Sequence, residues 1–363
     1  MMLRRLAISI IALGFLSFFQ EKPQLLRKEK AFDTYIKDSI PIRVDLIYAD
    51  EQPHQYFSLV RTPVCEDDLC YLITIEIYWD LLGNFIKYEL PPQEPLTKFD
   101  HIEFSEDDYT KLNEILADRG SLLKDYEAKD LVDPTTSIKS EVEVDAVTSA
   151  TYASLKGAVV SGAVYSTHTL WHIVNGRVAQ QILQHTESLY DDQMLTMMLN
   201  SDHFYYQYYA LEHMPAVVSD GLIPGLIRLV AEGQQYIPYF AVEKFPEKVW
   251  QPGGNQSELI ALLPDVAFEM QNTLLARLKD QKLNEQSALT LISTFNKFND
   301  EQLHKALTMI YYSCDSLSTE VLLEFSYLLT HQNQEISALA YRILERRSDE
   351  SENIQKVLSA YEN

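Results

Sequence analysis

Tyr71 to Leu90 reads YLITIEIYWDLLGNFIKYEL, and two strand-like runs face each other across a short break within it. Tyr71 to Tyr78 and Phe85 to Leu90 are dense in β-branched and aromatic residues, the side chains that suit a pleated, half-buried surface. Between them lie Trp79-Asp80-Leu81-Leu82-Gly83-Asn84, where Gly83-Asn84 can supply the positive φ that a tight reversal needs. The stretch therefore predicts a β-hairpin. Upstream, Pro41 to Tyr48 (PIRVDLIY) is a candidate third strand. Downstream, Pro91-Pro92-Gln93-Glu94-Pro95 ends the hairpin and opens a loop. Ser105, followed by Glu106, Asp107 and Asp108, is placed to cap a helix that carries Leu112, Ile115 and Leu116 on one face.

The composition changes near residue 178. Before it, strand alternation mixes with helix; from Arg177 onward, helical stretches alternate with short polar breaks at Ser201-Asp202, Ser219-Asp220-Gly221, Gln251 to Asn255, Asn299-Asp300 and His331 to Gln334. Tyr209-Ala210-Leu211-Glu212 and Phe240-Ala241-Val242-Glu243 repeat one helical face, and Ala338 to Glu345 carries a looser version. The expectation is an α+β domain over residues 40–178 and an all-α domain over 179–363. The latter reads as stacked helical hairpins of the HEAT or armadillo type, with an irregular helical bundle as the alternative.

Residues 1–20 have a basic start (Arg4, Arg5), an apolar run from Leu6 to Phe19 and a switch to Glu21, Lys22 and Pro23. That is the layout of a signal peptide, and it implies an exported, periplasmic or extracytoplasmic protein. The run is shorter than the roughly 20 residues that span a bilayer, which favours cleavage, with an uncleaved membrane anchor as the alternative. No later stretch reads as a membrane span. The chain has 30 basic and 53 acidic side chains and a formal charge of −23. Such a surface repels nucleic acid and anionic lipid, so neither is expected as a partner. With 46% hydrophobic residues, the chain can bury a sizeable core. Cys65 and Cys70, in CEDDLC, are close enough for one disulfide in an oxidising compartment, leaving Cys314 unpaired.

Val144 to Trp171, VDAVTSATYASLKGAVVSGAVYSTHTLW, carries the strongest chemical signal. Asp145 precedes a hydroxyl cluster, Thr148-Ser149-Ala150-Thr151, and then a small-residue stretch expected to be helical through Leu155, Val159 and Val164. A hydroxyl-lined turn at a helix start favours a phosphate; ordinary helix capping by Thr148 or Ser149 is the alternative reading. The segment resembles the FMN-binding domain of the extracytoplasmic subunits of sodium-pumping NADH:quinone reductase and Rnf complexes. The matching residues are Asp145, Thr148, Ser149, Ala150, Thr151 and Ser154, and the preceding strand, glycine turn and strand fit the same pattern. The resemblance implies an FMN joined to Thr151 as a phosphoester by a separate flavin transferase. It further implies phosphate contacts from Thr148 and Ser149, and a role for Asp145 in orienting the turn. Ser149 stands where the family has glycine, which bears on covalent attachment.

His168 and His172 share a helical face at a spacing that suits a metal, but packed or hydrogen-bonded histidines are the expectation, and no metal site is assigned. Tyr165 and Trp171 are candidates to stack on a flavin ring or to fill the core. Of Tyr205, Tyr206, Tyr208 and Tyr209, one helix face cannot bury all four. No hydrolase, metalloprotease or nucleotide-triphosphatase motif is present. The sequence thus reads as an electron-transfer flavoprotein rather than a substrate-specific enzyme, with redox protein partners and a protein docked on the helical domain. A flavin-free envelope scaffold is the alternative.

Overall fold

The computed structural model describes residues 26–64, 72–127, 131 and 157–361. It divides into two compact units, the first ending at Leu189 and the second beginning at Tyr190.

The first unit is built on a five-stranded antiparallel meander: β1 (Leu26–Ile36), β2 (Ile40–Ala49), β3 (Gln52–Thr62), β4 (Ile73–Trp79) and β5 (Phe85–Glu89), paired in chain order. A three-residue turn, Lys37 to Ser39, joins β1 to β2, and a two-residue turn, Asp50-Glu51, joins β2 to β3. Lys37 and Asp38, then Asp50 and Glu51, all have positive φ, the conformation whose twist matches an antiparallel hairpin. Register aligns one apolar face. Tyr56 pairs with Trp79, Ser58 with Ile77 and Val60 with Ile75, and all six are buried. The two central strands therefore follow the period-2 rule, with Leu59 of the other face more than half exposed.

Three helices belong to this unit: α1 (Glu106–Ala117), α2 (Val164–Asn175) and α3 (Arg177–Ser188). Trp79 Nε1 donates to Val174 O at 2.8 Å, which fixes α2 on the sheet. Tyr56 OH lies 2.8 Å from His185 Nδ1 and 2.9 Å from Thr186 Oγ1, which fixes α3. These bonds explain why the unit runs to Leu189 instead of stopping near residue 178. Trp171 Nε1 donates to Asp118 O and Asn175 Nδ2 to Leu116 O, joining α2 to the end of α1. On the opposite sheet face, the Lys28 ammonium sits 3.4 Å from the Phe57 ring centroid and Lys87 caps Tyr78, so lysine stems cover the aromatic rings there.

The expected hairpin and third strand are β4, β5 and β2. Only Gly83 of the Gly83-Asn84 pair has positive φ, at 74°. Asn84 serves the turn through its amide instead, donating to Asp80 Oδ2. Ser105 caps α1 in a capping box with Asp108, and Leu112, Ile115 and Leu116 are its buried residues. Ser105→Ala removes the acceptor for the Asp108 N–H and should lower the urea stability of the first unit by about 1 kcal/mol. An unchanged unfolding midpoint would show that the cap carries no stability.

The second unit is helical throughout its described residues: α4 (Asp192–Leu199), α5 (Phe204–Glu212), α6 (Ile223–Glu232), α7 (Ile237–Lys244), α8 (Gln256–Ala261), α9 (Phe268–Leu278), α10 (Glu285–Ser293), α11 (Asp300–Ser313), α12 (Thr319–Leu323), α13 (Gln334–Glu345) and α14 (Glu352–Tyr361). Each polar break read from the sequence falls between α-helices or reaches the first residue of the next, and Asn299 and Asn333 are side-chain N-caps of α11 and α13. Packing follows alternation. α5, α7, α9, α11 and α13 touch in succession, as do α8, α10 and α12 on the other side. Polar side chains bridge successive pairs at a nearly constant chain separation. Lys248 meets Asp220 at 28 residues, Gln302 Nε2 donates to Gln271 Oε1 at 31, and Asn333 Nδ2 donates to Asp300 Oδ2 at 33.

Candidate functional site

Asp145, Thr148, Ser149, Ala150, Thr151 and Ser154 lie outside the described residues, as do Cys65 and Cys70. The chain is described again from Gly157, and there the expected helix through Leu155, Val159 and Val164 needs correcting at its described end. Residues 157–163 form turns, and α2 starts only at Val164. The reason is local. Gly162 has a φ of 74°, Ala163 has a φ of −134°, and Gly162 O accepts a bond from Phe99 N at 2.8 Å, which draws the backbone away from a helical path. Val159, Val160, Ala163 and Val164 are all buried.

A cavity of about 560 Å³ opens beside this turn. Its walls include Val64, Leu72, Leu96, Lys98, Phe99 and Tyr165. The loop carrying Lys98 and Phe99 is a small reversal. Thr97 bridges Glu103, Lys98 N donates to Ile102 O, and His101 takes a φ of 62°. The reversal leaves Phe99 70% exposed at the cavity rim, while the Lys98 ammonium pairs with Asp108 at 2.7 Å. The cavity thus combines apolar walls, the Phe99 and Tyr165 rings, His101, the Lys98 cation and the Glu94 carboxylate. Of the two aromatic candidates read from the sequence, Tyr165 lines this cavity, whereas Trp171 is 4% exposed and committed to the α1–α2 contact.

A second cavity, of about 280 Å³, lies between the β1–β2 turn and the corner where α2 meets α3. His168 and His172 line it, with ring centroids 4.3 Å apart. His168 Nε2 lies 2.7 Å from Tyr126 O, and His172 Nε2 lies 3.0 Å from Leu123 O. A carbonyl only accepts, so both Nε2 atoms carry hydrogen and both rings are hydrogen-bonded from one side. Burial holds His168 below the usual histidine pKa, the bond to Tyr126 opposes that, and His172 and Lys37 add to the depression. Among the described residues, no cluster of three His, Cys, Asp or Glu side chains is arranged to hold a metal.

The four tyrosines of α5 part as the helix geometry requires. Tyr209 is buried and stacks on His213 at 3.9 Å, Tyr208 packs against Tyr236 and Phe240, and Tyr205 is 61% exposed. Sequence reading missed Lys98, Phe99, Lys37, Asp38 and Arg177. The Lys37–Ser39 reversal is legible as a turn only once β1 is recognised, and Phe99 carries no local signal. No family model matches the chain, and no curated protein matches it.

Proposed function

We propose that this chain is an exported FMN-binding protein that carries electrons outside the cytoplasm, with the flavin attached through Thr151. The observation that carries the reading is the order of residues along the chain leading up to the larger cavity. The Asp145, Thr148, Ser149, Ala150, Thr151, Ser154 run leads within a few residues into the glycine turn and α2 start that line it. At about 560 Å³, its size is that of an ordinary ligand pocket. Its aromatic rings suit a flat, polar-edged ring system. Thr151 Oγ would bear the phosphoryl group. Thr148, Ser149 and the amides near Ala150 and Ser154 would contact its oxygens, and Asp145 would hold the turn. FMN supplies the redox chemistry, and the protein sets its exposure and potential. A flavin transferase and redox protein partners belong to this reading.

The second unit is read as a HEAT-like stack of helical hairpins that docks a protein partner. Its support is the succession of like helices and the bridges that recur at about thirty residues. A flavin-free scaffold is the competing reading, favoured by Ser149 at the family's glycine position. Co-expression with a flavin transferase, followed by intact mass, separates the two. The mass of one FMN should be added to the parent chain and not to Thr151→Ala. An unmodified parent without bound flavin would remove the electron-carrier reading and leave the scaffold.

A further inference from the structure

The smaller cavity contrasts with the rest of an acidic chain. Against 53 acidic and 30 basic side chains overall, its lining contains Lys37, Arg177, His168 and His172, with Asp38 as the one carboxylate among the described lining residues. Arg177 Nη2 donates to Asp38 Oδ1 at 2.9 Å across the corner. Both partners are more than half exposed, so this pair contributes little to stability and does not account for the histidines beside it. Each ring has its Nε2–H committed to a backbone carbonyl, which leaves Nδ1 of His168 as the nitrogen able to take up a proton. The two rings lie 4.3 Å apart, and an anion bound between them and the Arg177 fork would stabilise that proton.

We propose that this cavity binds a small dianion of the phosphate-monoester class, held by Arg177 and Lys37 and by a proton taken up on His168. The site does not depend on the flavin. Its volume of about 280 Å³ admits a phosphoryl group with a small organic body. Thr169 of α2 adds a hydroxyl, and Arg177 is the first residue of α3, where the helix dipole favours negative charge. The charged and titratable groups around the pair are Lys37 and Asp38 from the β1–β2 turn, Tyr35 from β1, Arg177 from α3 and Glu127 after the 3₁₀ segment Leu122–Asp125.

The sign of the pH dependence follows from the depressed His168 pKa. At neutral pH the ring is uncharged, and affinity for an anion of fixed charge rises as pH falls into the histidine range; by reciprocity, a bound dianion raises the pKa of His168. Sulfate is the suitable probe, because its own charge is fixed over this range. Titration calorimetry on the full chain, at matched ionic strength, should show sulfate binding about tenfold more tightly near pH 5.5 than near pH 8, with the Nδ1 resonances of His168 and His172 shifting on binding. Arg177→Gln and Lys37→Gly should each weaken binding by about tenfold; glycine accepts the positive φ at position 37, so the turn is preserved. His168→Gln keeps a donor for Tyr126 O and should flatten the pH dependence. Absence of binding at about 10 mM sulfate near pH 5.5 would overturn the site. So would equal affinity at both pH values, or variants that bind as tightly as the parent.

Discussion

Trp79→Ala is expected to cost the first unit about 4 kcal/mol. Trp79 is fully buried at the end of β4, directly across from Tyr56 in register, and its indole N–H donates to Val174 O of α2 at 2.8 Å. The ring is thus the point where sheet and helix layer are joined by both packing and a directional bond. Truncation removes the apolar volume, leaves a void against α2 and deletes the donor, three losses that act on one interface. Trp79→Phe keeps most of the volume and loses the bond, so about 1–2 kcal/mol is expected for it. Urea unfolding followed by circular dichroism, together with fluorescence of Trp171 in the same unit, measures both. A cost below about 1 kcal/mol for Trp79→Ala would mean that α2 does not rest on this side chain.

The parts of the fold legible in the sequence are those whose signal is local. β4 and β5 announce themselves through Ile73, Ile75, Ile77, Phe85 and Tyr88, and α1 through Ser105 followed by three acids. β1 and β3 do not. The first half of β1, LRKEK, is exposed, so its composition says surface and only its pairing with β2 makes it a strand. β3, QPHQYFSLVRT, hides its buried face in Tyr56, Ser58, Val60 and Thr62, where hydroxyl-bearing residues break the expected apolar alternation. In the second unit the turns were legible through Asn299 and Asn333, because capping is decided by neighbouring residues. The packing of one helix on another was not legible, because it rests on long-range contacts such as the bond from Gln302 to Gln271.

The cavities follow the same division. The motif around Thr151 is contiguous and could be read; the walls of the larger cavity come from residues 64, 72, 96–99 and 162–166, which only folding assembles. Phe99 illustrates the difficulty. Its exposure at the rim follows from the Thr97 to Glu103 reversal and from its own N–H reaching Gly162 O. Neither is written in the residues next to it.

Gly83→Ala should destabilise the first unit by about 3 kcal/mol, for a reason that combines sequence and tertiary contact. The turn around it is built on the buried Asp80 carboxylate. Oδ1 accepts from the N–H groups of Leu82 and Asn84 at 2.8 Å each, and Oδ2 accepts from Asn84 Nδ2 at 2.8 Å. Those bonds hold Gly83 at a φ of 74°, which an alanine adopts only with strain. The tertiary part is larger. A Cβ at this position would lie 2.5 Å from Ala179 O of α3, and α3 is anchored a few residues on by the Tyr56, His185 and Thr186 contacts. Backbone meets backbone there, so either the turn opens or α3 lifts off the sheet. Gly253 supplies the control. It has a φ of 89° with nothing within 4 Å of a built Cβ, so Gly253→Ala incurs conformational strain alone and should cost about 1 kcal/mol. Chemical denaturation of the two variants measures the difference. Equal losses would mean that α3 does not approach the hairpin turn closely, and that the requirement for glycine at position 83 is one of backbone conformation only.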